Sequence, residues 1–261
     1  MTGSTTVTTL STMGGYHRRQ GLRKYAAVSR PRRIVGFGGG NRSSVATPSK
    51  LEEYVLELTS RDHPRVLYLP TASADSDSLI VGFYERFSGR SEASHLKLFG
   101  APDAADWRPR LLQQDVIYVT GGNTVNALAI WRAHGADVAL REAWENGIVL
   151  CGGSAGMICW FECSVTDSFG SALAPLRDGL GFLPGSACPH YGSEEGRRPL
   201  YRELVASGFP SGFAADDFVG LHFEGTALKE AVSEVEGRCG YRVELVGGEV
   251  HETPIPTRYL G

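Results

Sequence analysis

Residues 147–156 read Gly-Ile-Val-Leu-Cys-Gly-Gly-Ser-Ala-Gly. The first four form an apolar run that is typical of a buried strand, and the last five match the pattern G-x-S-x-G around Ser154. Small residues in that pattern let the chain turn sharply from a strand into a helix, so that the serine hydroxyl projects above the sheet. The alternative is a glycine-rich turn whose serine only caps the next helix. The stretch predicts an α/β sheet that carries an acyl-transfer nucleophile, and hydrolysis is the simplest such reaction.

Short apolar runs alternate with helical patterns from Arg33 onward. Predicted strands cover 34–37, 66–69, 95–98, 116–119 and 148–150, and predicted helices cover 51–58, 79–87, 125–132 and 138–144. Strands that are apolar on both faces and separated by helices indicate a parallel sheet covered on both sides. The later runs 213–215, 219–223 and 241–245 are separated by short turns, which favours antiparallel hairpins at a sheet edge. We predict a doubly wound, mostly parallel α/β fold with antiparallel edge strands near the C-terminus.

Composition narrows the range of functions. The chain has 261 residues and a net charge of −3, so it can bury one large core and has no positive field to attract nucleic acid or a membrane. No apolar run is long enough to span a bilayer and the first thirty residues lack a secretory segment, so we expect a cytoplasmic protein. Its five cysteines have no C-x-x-C spacing, which argues against a disulfide framework and a zinc ribbon. We expect them to be reduced and mostly buried.

The N-terminal segment 1–31 differs from the rest of the chain. It is rich in Thr, Ser and Gly and then in basic residues, with no acidic residue, so we predict a disordered extension. A transit peptide or a nucleic-acid-binding arm are the alternatives. Residues 32–261 are predicted to form a single catalytic domain.

Two glycine-rich loops leave predicted strands at the edge where α/β sheets bind ligands. Gly38-Gly39-Gly40-Asn41 is a weak dinucleotide signal because G-x-G-x-x-G requires glycine in place of Asn41, so we favour close approach of the backbone to the site. Gly121-Gly122-Asn123-Thr124 precedes a helix, where backbone N–H groups are free to stabilise an oxyanion. In a purely structural role, Asn123 or Thr124 would cap that helix.

A serine nucleophile requires a base, and three histidines follow the predicted elbow. His190 lies in a loop after an apolar run and is the best candidate, whereas His222 alternates with apolar residues in a strand and His251 lies in a proline-rich tail. The pair Asp216-Asp217 falls at a turn and offers an acceptor to orient the base, although paired acids in turns are more often solvated. The order Ser, His, Asp differs from the Ser, Asp/Glu, His order of α/β-hydrolases.

Four motifs in this order resemble those of the peptidase E family of serine peptidases. They are Gly121-Gly122-Asn123-Thr124, Gly152-Gly153-Ser154-Ala155-Gly156, Cys188-Pro189-His190-Tyr191 and Ala215-Asp216-Asp217. The family includes aspartyl dipeptidases, and cyanophycinases are its relatives. The likeness covers roughly residues 33–246. It implies a fold similar to class I glutamine amidotransferases, with serine in place of cysteine at the elbow.

The resemblance also implies roles for individual residues. Ser154 would be the nucleophile and His190 the general base and then acid. Asp217, favoured over Asp216, would be the third member, a position where relatives often carry Glu.

The remaining implied roles concern the oxyanion and the substrate. The backbone N–H groups of Gly122 and Ala155 would form the oxyanion hole, and Asn123 and Arg197 would bind the substrate. Arginine suits a substrate carboxylate because its planar fork donates two hydrogen bonds. The structural alternative is that Arg197 pairs with the acids at 194–195 on an exposed helix start.

These observations predict a cytoplasmic serine exopeptidase that acts on small peptides, with Asp-X dipeptides as candidate substrates. No metal and no organic cofactor is expected, and neither nucleic acid nor membrane is expected as a partner. A homodimer is left open. The alternatives are a cyanophycinase-like or β-aspartyl hydrolase, an amidase or acyltransferase acting on a specialised metabolite, and a non-catalytic ligand-binding protein.

Overall fold

The computed structural model describes residues 30–40, 49–102 and 106–261. Nearly all of the predicted extension 1–31, together with Asn41, therefore lies outside the described residues. Fourteen strands lie in the described ranges: β1 (Arg33–Phe37), β2 (Arg65–Leu69), β3 (Glu92–His95), β4 (Val116–Val119), β5 (Val149–Gly153), β6 (Phe161–Thr166), β7 (Ala174–Leu176), β8 (Leu183–Cys188), β9 (Gly212–Ala215), β10 (Val219–Glu224), β11 (Ala227–Ser233), β12 (Gly240–Val246), β13 (Glu249–Ile255) and β14 (Thr257–Tyr259).

Helices follow most of the early strands. Seven α-helices lie in the described ranges: α1 (Lys50–Glu57), α2 (Asp77–Phe87), α3 (Trp107–Leu112), α4 (Thr124–His134), α5 (Ala136–Glu145), α6 (Ala155–Ile158) and α7 (Arg197–Ala206). A short 3₁₀ helix spans Thr71–Ser73. Ser49 caps α1 through its hydroxyl, and Gly135, in a left-handed conformation with φ 71°, separates α4 from α5. None of these helices has both the length and the apolar character needed to span a bilayer.

The larger sheet has eight strands in the order β14-β11-β10-β1-β5-β4-β2-β3. The five strands from β1 to β3 in that order are parallel. β10 pairs antiparallel with β1, and β11 pairs antiparallel with β10. The predicted mostly parallel α/β class with antiparallel strands from the C-terminal part of the chain is therefore confirmed.

Helices cover both faces of the parallel strands. Ile34 belongs to one apolar cluster with Trp131 of α4 and Leu140 of α5, whereas its neighbour Val35 belongs to another cluster with Phe83 of α2. Successive strand residues point to opposite faces, so both sides of the strand must be apolar. This explains why the early strands are continuous hydrophobic runs.

The strand predicted at 95–98 was placed too late, because β3 ends at His95. Leu96 and Leu98 are buried but lie in the loop that follows. The Asp75 carboxylate accepts hydrogen bonds from the backbone N–H groups of Leu98 and Phe99, at 2.7 and 2.6 Å, and so holds that loop against the domain. Burial of apolar residues therefore does not mark a strand at this position.

A second, six-stranded sheet was not predicted. The runs 213–215 and 241–245, expected at the edge of the one sheet, pair antiparallel as β9 and β12 within this second sheet. Its order is β13-β12-β9-β8-β6-β7, and β6, β8 and β9 are mutually parallel. Phe161 of β6 and Phe213 of β9 pack against Phe223 of β10, with ring centroids 5.7 and 5.2 Å apart. The two sheets therefore share one hydrophobic cluster.

Candidate active site

Ser154 lies between β5 and α6 in an uncommon backbone conformation. Its φ of 55° and ψ of −111° lie outside the regions that non-glycine residues usually occupy. Its N–H donates to the Phe37 carbonyl at 3.0 Å, and its own carbonyl accepts from Met157 N at 2.9 Å. The structure therefore has the predicted strand, sharp turn and helix around Ser154.

The flanking glycines allow this elbow to form. A Cβ atom at Gly152 or Gly156 would overlap the carbonyl oxygen of Val119 at the end of β4. Only glycine lets the elbow lie this close to the neighbouring strand. The G-x-S-x-G pattern thus reflects the packing of α6 on β4.

His190 lies in the loop after β8 and reaches Ser154. Its Nε2 is 2.9 Å from the Ser154 hydroxyl oxygen. The backbone of this loop is held on both sides, since His190 N donates to Gly38 O at 2.9 Å and Tyr191 N donates to Ala215 O at 3.0 Å. Hydrogen bonds to the loop after β1 and to β9 therefore hold the backbone that carries the imidazole.

Asp217 lies in the turn between β9 and β10, and its Oδ1 is 2.7 Å from Nδ1 of His190. Asp216 faces away: its Oδ2 accepts from Cys239 N at 3.3 Å and from the Tyr241 hydroxyl at 3.4 Å. The structure therefore brings Asp217, and not Asp216, to the histidine. With a proton on Nδ1, the imidazole donates to Asp217 and accepts from the Ser154 hydroxyl, as a general base requires.

The glycine loop after β1 packs directly on this arrangement. A Cβ atom at Gly39 would overlap the imidazole of His190 and would lie 2.6 Å from Oδ1 of Asp217. The Gly39 carbonyl also accepts from Phe218 N at 2.9 Å, next to Asp217. The predicted close approach of this loop to the site is confirmed.

The second glycine loop lies beside Ser154. A Cβ atom at Gly121 would be 3.5 Å from Cβ of Ser154, and one at Gly122 would overlap the carbonyl oxygen of Ala72. Ala155 is the first residue of α6, so its N–H has no partner within that helix. The structure thus places Gly121 next to Ser154, with Gly122 following it in the chain and packed on Ala72, and Ala155 directly after Ser154.

Both the oxygen and the nitrogen of the Asn123 side-chain amide form hydrogen bonds within the protein. Its Oδ1 accepts from Asn126 N at 2.8 Å and caps α4, while its Nδ2 donates to the Ser168 carbonyl at 3.0 Å. The predicted helix cap is therefore found at this position. The cap and the Ser168 contact fasten the Gly121-Gly122 loop to the domain.

Arg197, expected to meet a substrate carboxylate, is buried among protein groups. It is only 2% exposed, its Nε donates to Oε2 of Glu194 at 2.5 Å, and its Nη1 donates to the Val165 carbonyl at 3.2 Å. The pairing with Glu194 matches the structural alternative, although the helix start is buried at this residue. Glu194 also lies near the histidine, with Oε1 3.8 Å from Nδ1 of His190.

A cavity of about 320 Å³ opens at Ser154 and His190. Arg197 is not among the described residues that line it. Its walls include Tyr68 and Tyr118, which the sequence did not single out although each is the next-to-last residue of its parallel strand. In the described part of the chain, no group of three or more His, Cys, Asp or Glu side chains is placed to hold a metal ion.

A parallel α/β sheet that presents a serine on a strand-to-helix elbow, hydrogen-bonded to a histidine, is the architecture of a hydrolase. Comparison with known proteins narrows this class. The chain belongs to peptidase family S51, whose sequence model matches residues 34–231. It is therefore a peptidase-family protein over most of its length.

Two curated relatives support the assignment. An uncharacterized peptidase of Bacillus subtilis (strain 168), YgaJ, is 46% identical over 232 residues, which cover 88% of this chain and all of that protein. Peptidase E of Streptomyces coelicolor (strain ATCC BAA-471 / A3(2) / M145) is 27% identical over 128 residues, about half of each chain.

Solved structures show the same fold. A peptidase from an acI-B1 actinobacterium superposes with a TM-score of 0.63 at 15% identity, covering 88% of this chain and 96% of the other. A protein assigned as a peptidase E from Listeria monocytogenes EGD-e gives a TM-score of 0.57 at 18% identity, covering 76% and 96%.

Proposed function

We propose that the chain is a serine peptidase that hydrolyses small peptides through an acyl-enzyme. The observation that carries this proposal is the continuous hydrogen-bonded series of three side chains. The Ser154 hydroxyl lies 2.9 Å from Nε2 of His190, and Nδ1 of His190 lies 2.7 Å from Oδ1 of Asp217. A nucleophile, a base and an orienting acid in these positions are the parts of a catalytic triad.

In the proposed reaction, Oγ of Ser154 attacks the scissile carbonyl carbon while Nε2 of His190 takes the hydroxyl proton. Asp217 holds the imidazole in the required tautomer and stabilises its charged form. His190 then gives the proton to the leaving amine as the C–N bond breaks, which leaves an ester on Ser154. Water, deprotonated by the same imidazole, hydrolyses the ester and releases the acid.

The oxyanion of each tetrahedral intermediate is assigned to the backbone N–H groups of Gly122 and Ala155. Ala155 directly follows Ser154, and Gly122 follows Gly121, which lies next to Ser154; donors in such a site stabilise charge as it develops. Because these donors are backbone groups, their placement depends on the glycine loop and on the start of α6.

The substrate of the proposed peptidase is a small peptide, and the expected preference for Asp-X dipeptides rested on Arg197. A substrate carboxylate in a partly closed site requires a cation or several donors to replace its hydration. Arg197 is engaged by Glu194 and by a backbone carbonyl, and it lies outside the lining of the cavity. A β-aspartyl peptide also presents a carboxylate near its scissile bond, so it is disfavoured as a substrate for the same reason. The serine chemistry of the site therefore does not depend on a preference for aspartate.

The chemistry is tested with Ser154→Ala. We expect turnover of a cleavable dipeptide to fall by about 10⁴-fold or more, because removal of a nucleophile leaves only binding and oxyanion stabilisation. A serine-reactive phosphonate should label the wild-type protein and fail to label the variant. Ser207→Ala, at an exposed serine at the end of α7, is the matched control and should keep both properties. Equal turnover by wild type and Ser154→Ala would exclude the proposed mechanism, and absence of labelling would favour a ligand-binding protein.

A further inference from the structure

The cavity beside Ser154 has walls from the ends of three parallel strands and from two helices. Phe37 of β1, Tyr68 of β2 and Tyr118 of β4 face it, together with Leu51 of α1 and Leu79 of α2. Its volume of about 320 Å³ is at the small end of the range for ligand pockets. A cavity of this size, in contact with both the serine and the histidine, accommodates one side chain next to a scissile bond.

The aromatic walls are fixed by their own packing. The ring of Tyr118 lies 6.2 Å from that of Phe37 and 5.9 Å from that of Tyr68, both tilted. Tyr68 also stacks on Phe83 at 4.5 Å with an interplanar angle of 7°. Burial raises the pKa of Tyr68 and of Tyr118, so both phenols stay uncharged. The cavity therefore presents preformed aromatic surface, which favours another ring in a tilted or stacked geometry.

Arg86 is the one basic side chain among the described lining residues, His190 apart, and it already has a partner. Its Nε donates to Oε1 of Glu52 at 3.1 Å, and Arg90 lies 3.5 Å from the other oxygen of that carboxylate. The Glu52 side chain is only 1% exposed. A substrate carboxylate that drew Arg86 away would leave a buried charge with weaker pairing, which is unfavourable.

A second acidic group also disfavours an anionic ligand. Glu234 lines the cavity, and its Oε2 accepts from the Ser49 hydroxyl at 2.7 Å and from Leu51 N at 3.3 Å. Among the described lining residues other than His190, the charges of Arg86 and Glu234 cancel, and Glu52 and Arg90 behind Arg86 also cancel, so these side chains offer no net attraction to an acid. An aspartate side chain would lose hydration here without gaining an unpaired cation from the described lining residues.

We propose that this cavity is the specificity pocket for an uncharged aromatic or large aliphatic residue flanking the scissile bond. The inference rests on the proposed function, since it names the substrate class of that site. Under it, the chain prefers apolar dipeptides to Asp-X dipeptides.

The first test compares two series of dipeptides. One series is Phe-Ala, Leu-Ala, Ala-Ala and Asp-Ala, and the other has the same residues in the reverse order. In at least one of the two series, kcat/KM for the Phe dipeptide should exceed that for the Asp dipeptide at least 10-fold. Asp dipeptides cleaved as well as or better than Phe dipeptides in both series would overturn the inference while leaving the serine mechanism intact.

A binding measurement separates this inference from the proposed function. Ser154→Ala, which removes the nucleophile, is titrated calorimetrically with the same two series. At least 10-fold tighter binding of a Phe dipeptide than of its Asp counterpart is expected, whether or not the wild type cleaves either one. If the wild type cleaves none of the dipeptides, the proposed function is contradicted. If the Phe and Asp dipeptides bind with equal or reversed affinities, the proposed specificity of the cavity is contradicted.

A substitution at the cavity wall supplies the third test. Leu79 is 43% exposed on α2, so Leu79→Trp adds an indole at the cavity without disturbing the core. We expect the ratio of kcat/KM for the Phe dipeptide to that for Ala-Ala to fall at least 10-fold. Val81→Trp, on the same helix, 56% exposed and outside the lining, should leave the ratio unchanged. An unchanged ratio in Leu79→Trp would show that the side chain binds elsewhere.

Discussion

A single methyl group at position 39 would push apart two members of the proposed triad. In Gly39→Ala, the new Cβ would overlap the imidazole of His190 and crowd Oδ1 of Asp217. Misplacement of a catalytic group by about 1 Å costs on the order of 10²-fold in rate. We expect kcat to fall by about that factor, measured on the best dipeptide substrate. Gly100→Ala, where a Cβ meets no atom within 4 Å, should retain the wild-type rate.

Asp217 and Asp216 are neighbours with different predicted contributions. Asp217→Asn should lower kcat by about 10³- to 10⁴-fold with little change in melting temperature, because the amide favours the wrong imidazole tautomer. Asp216→Asn should keep kcat within a few-fold and instead lower the melting temperature, because its buried carboxylate binds Cys239 N and the Tyr241 hydroxyl. Measuring kcat and thermal unfolding for both variants distinguishes the roles. The reverse pattern would move the orienting role to Asp216.

At the scale of elements, the start of α7 is stabilised by Arg197. Removal of its guanidinium in Arg197→Ala takes a donor from the Val165 carbonyl and the shortest ion pair from Glu194. Hydrogen bonds that involve a charged group contribute about 1.5–3 kcal/mol, so we expect a loss of that order in the free energy of unfolding. The ratio of Asp-Ala to Ala-Ala turnover should stay within about twofold, since Arg197 does not line the cavity. A selective loss of Asp-Ala turnover would restore its expected substrate role.

Most elements of the larger sheet could be predicted because strands covered on both faces are continuous apolar runs. The boundary of β3 was wrong because Leu96 and Leu98 are buried by a loop that Asp75 holds. Two strands of the second sheet, 213–215 and 241–245, were predicted but assigned to the edge of a single sheet, and others were missed because they contain polar residues and glycine, as Leu183–Cys188 does. Motif order indicated Ser154, His190 and Asp217, but no pattern shows whether a guanidinium faces the cavity or the core.

At the scale of the whole molecule, the proposed triad joins two sheets. Ser154 follows β5 of the larger sheet, His190 follows β8 of the smaller sheet, and Asp217 lies where the chain passes from β9 to β10. The distances among the three side chains therefore depend on how the sheets pack. The order of the motifs in the sequence therefore indicates which residues form the triad. Their hydrogen-bonding distances follow only from the packing of the two sheets.

Because the site depends on the packing of the two sheets, we expect heating to disrupt the site and the fold at the same temperature. Phe223 of β10 contacts Phe161 and Phe213 of the other sheet, so Phe223→Ala leaves a cavity between the sheets and should destabilise the protein by about 3–5 kcal/mol. Thermal loss of circular dichroism and of phosphonate labelling at Ser154 should coincide in the wild type and shift equally in the variant. Phe169→Ala, at a side chain that is 60% exposed, should shift neither. If labelling at Ser154 is lost at a temperature well below that of the circular dichroism transition, the two sheets separate before they unfold.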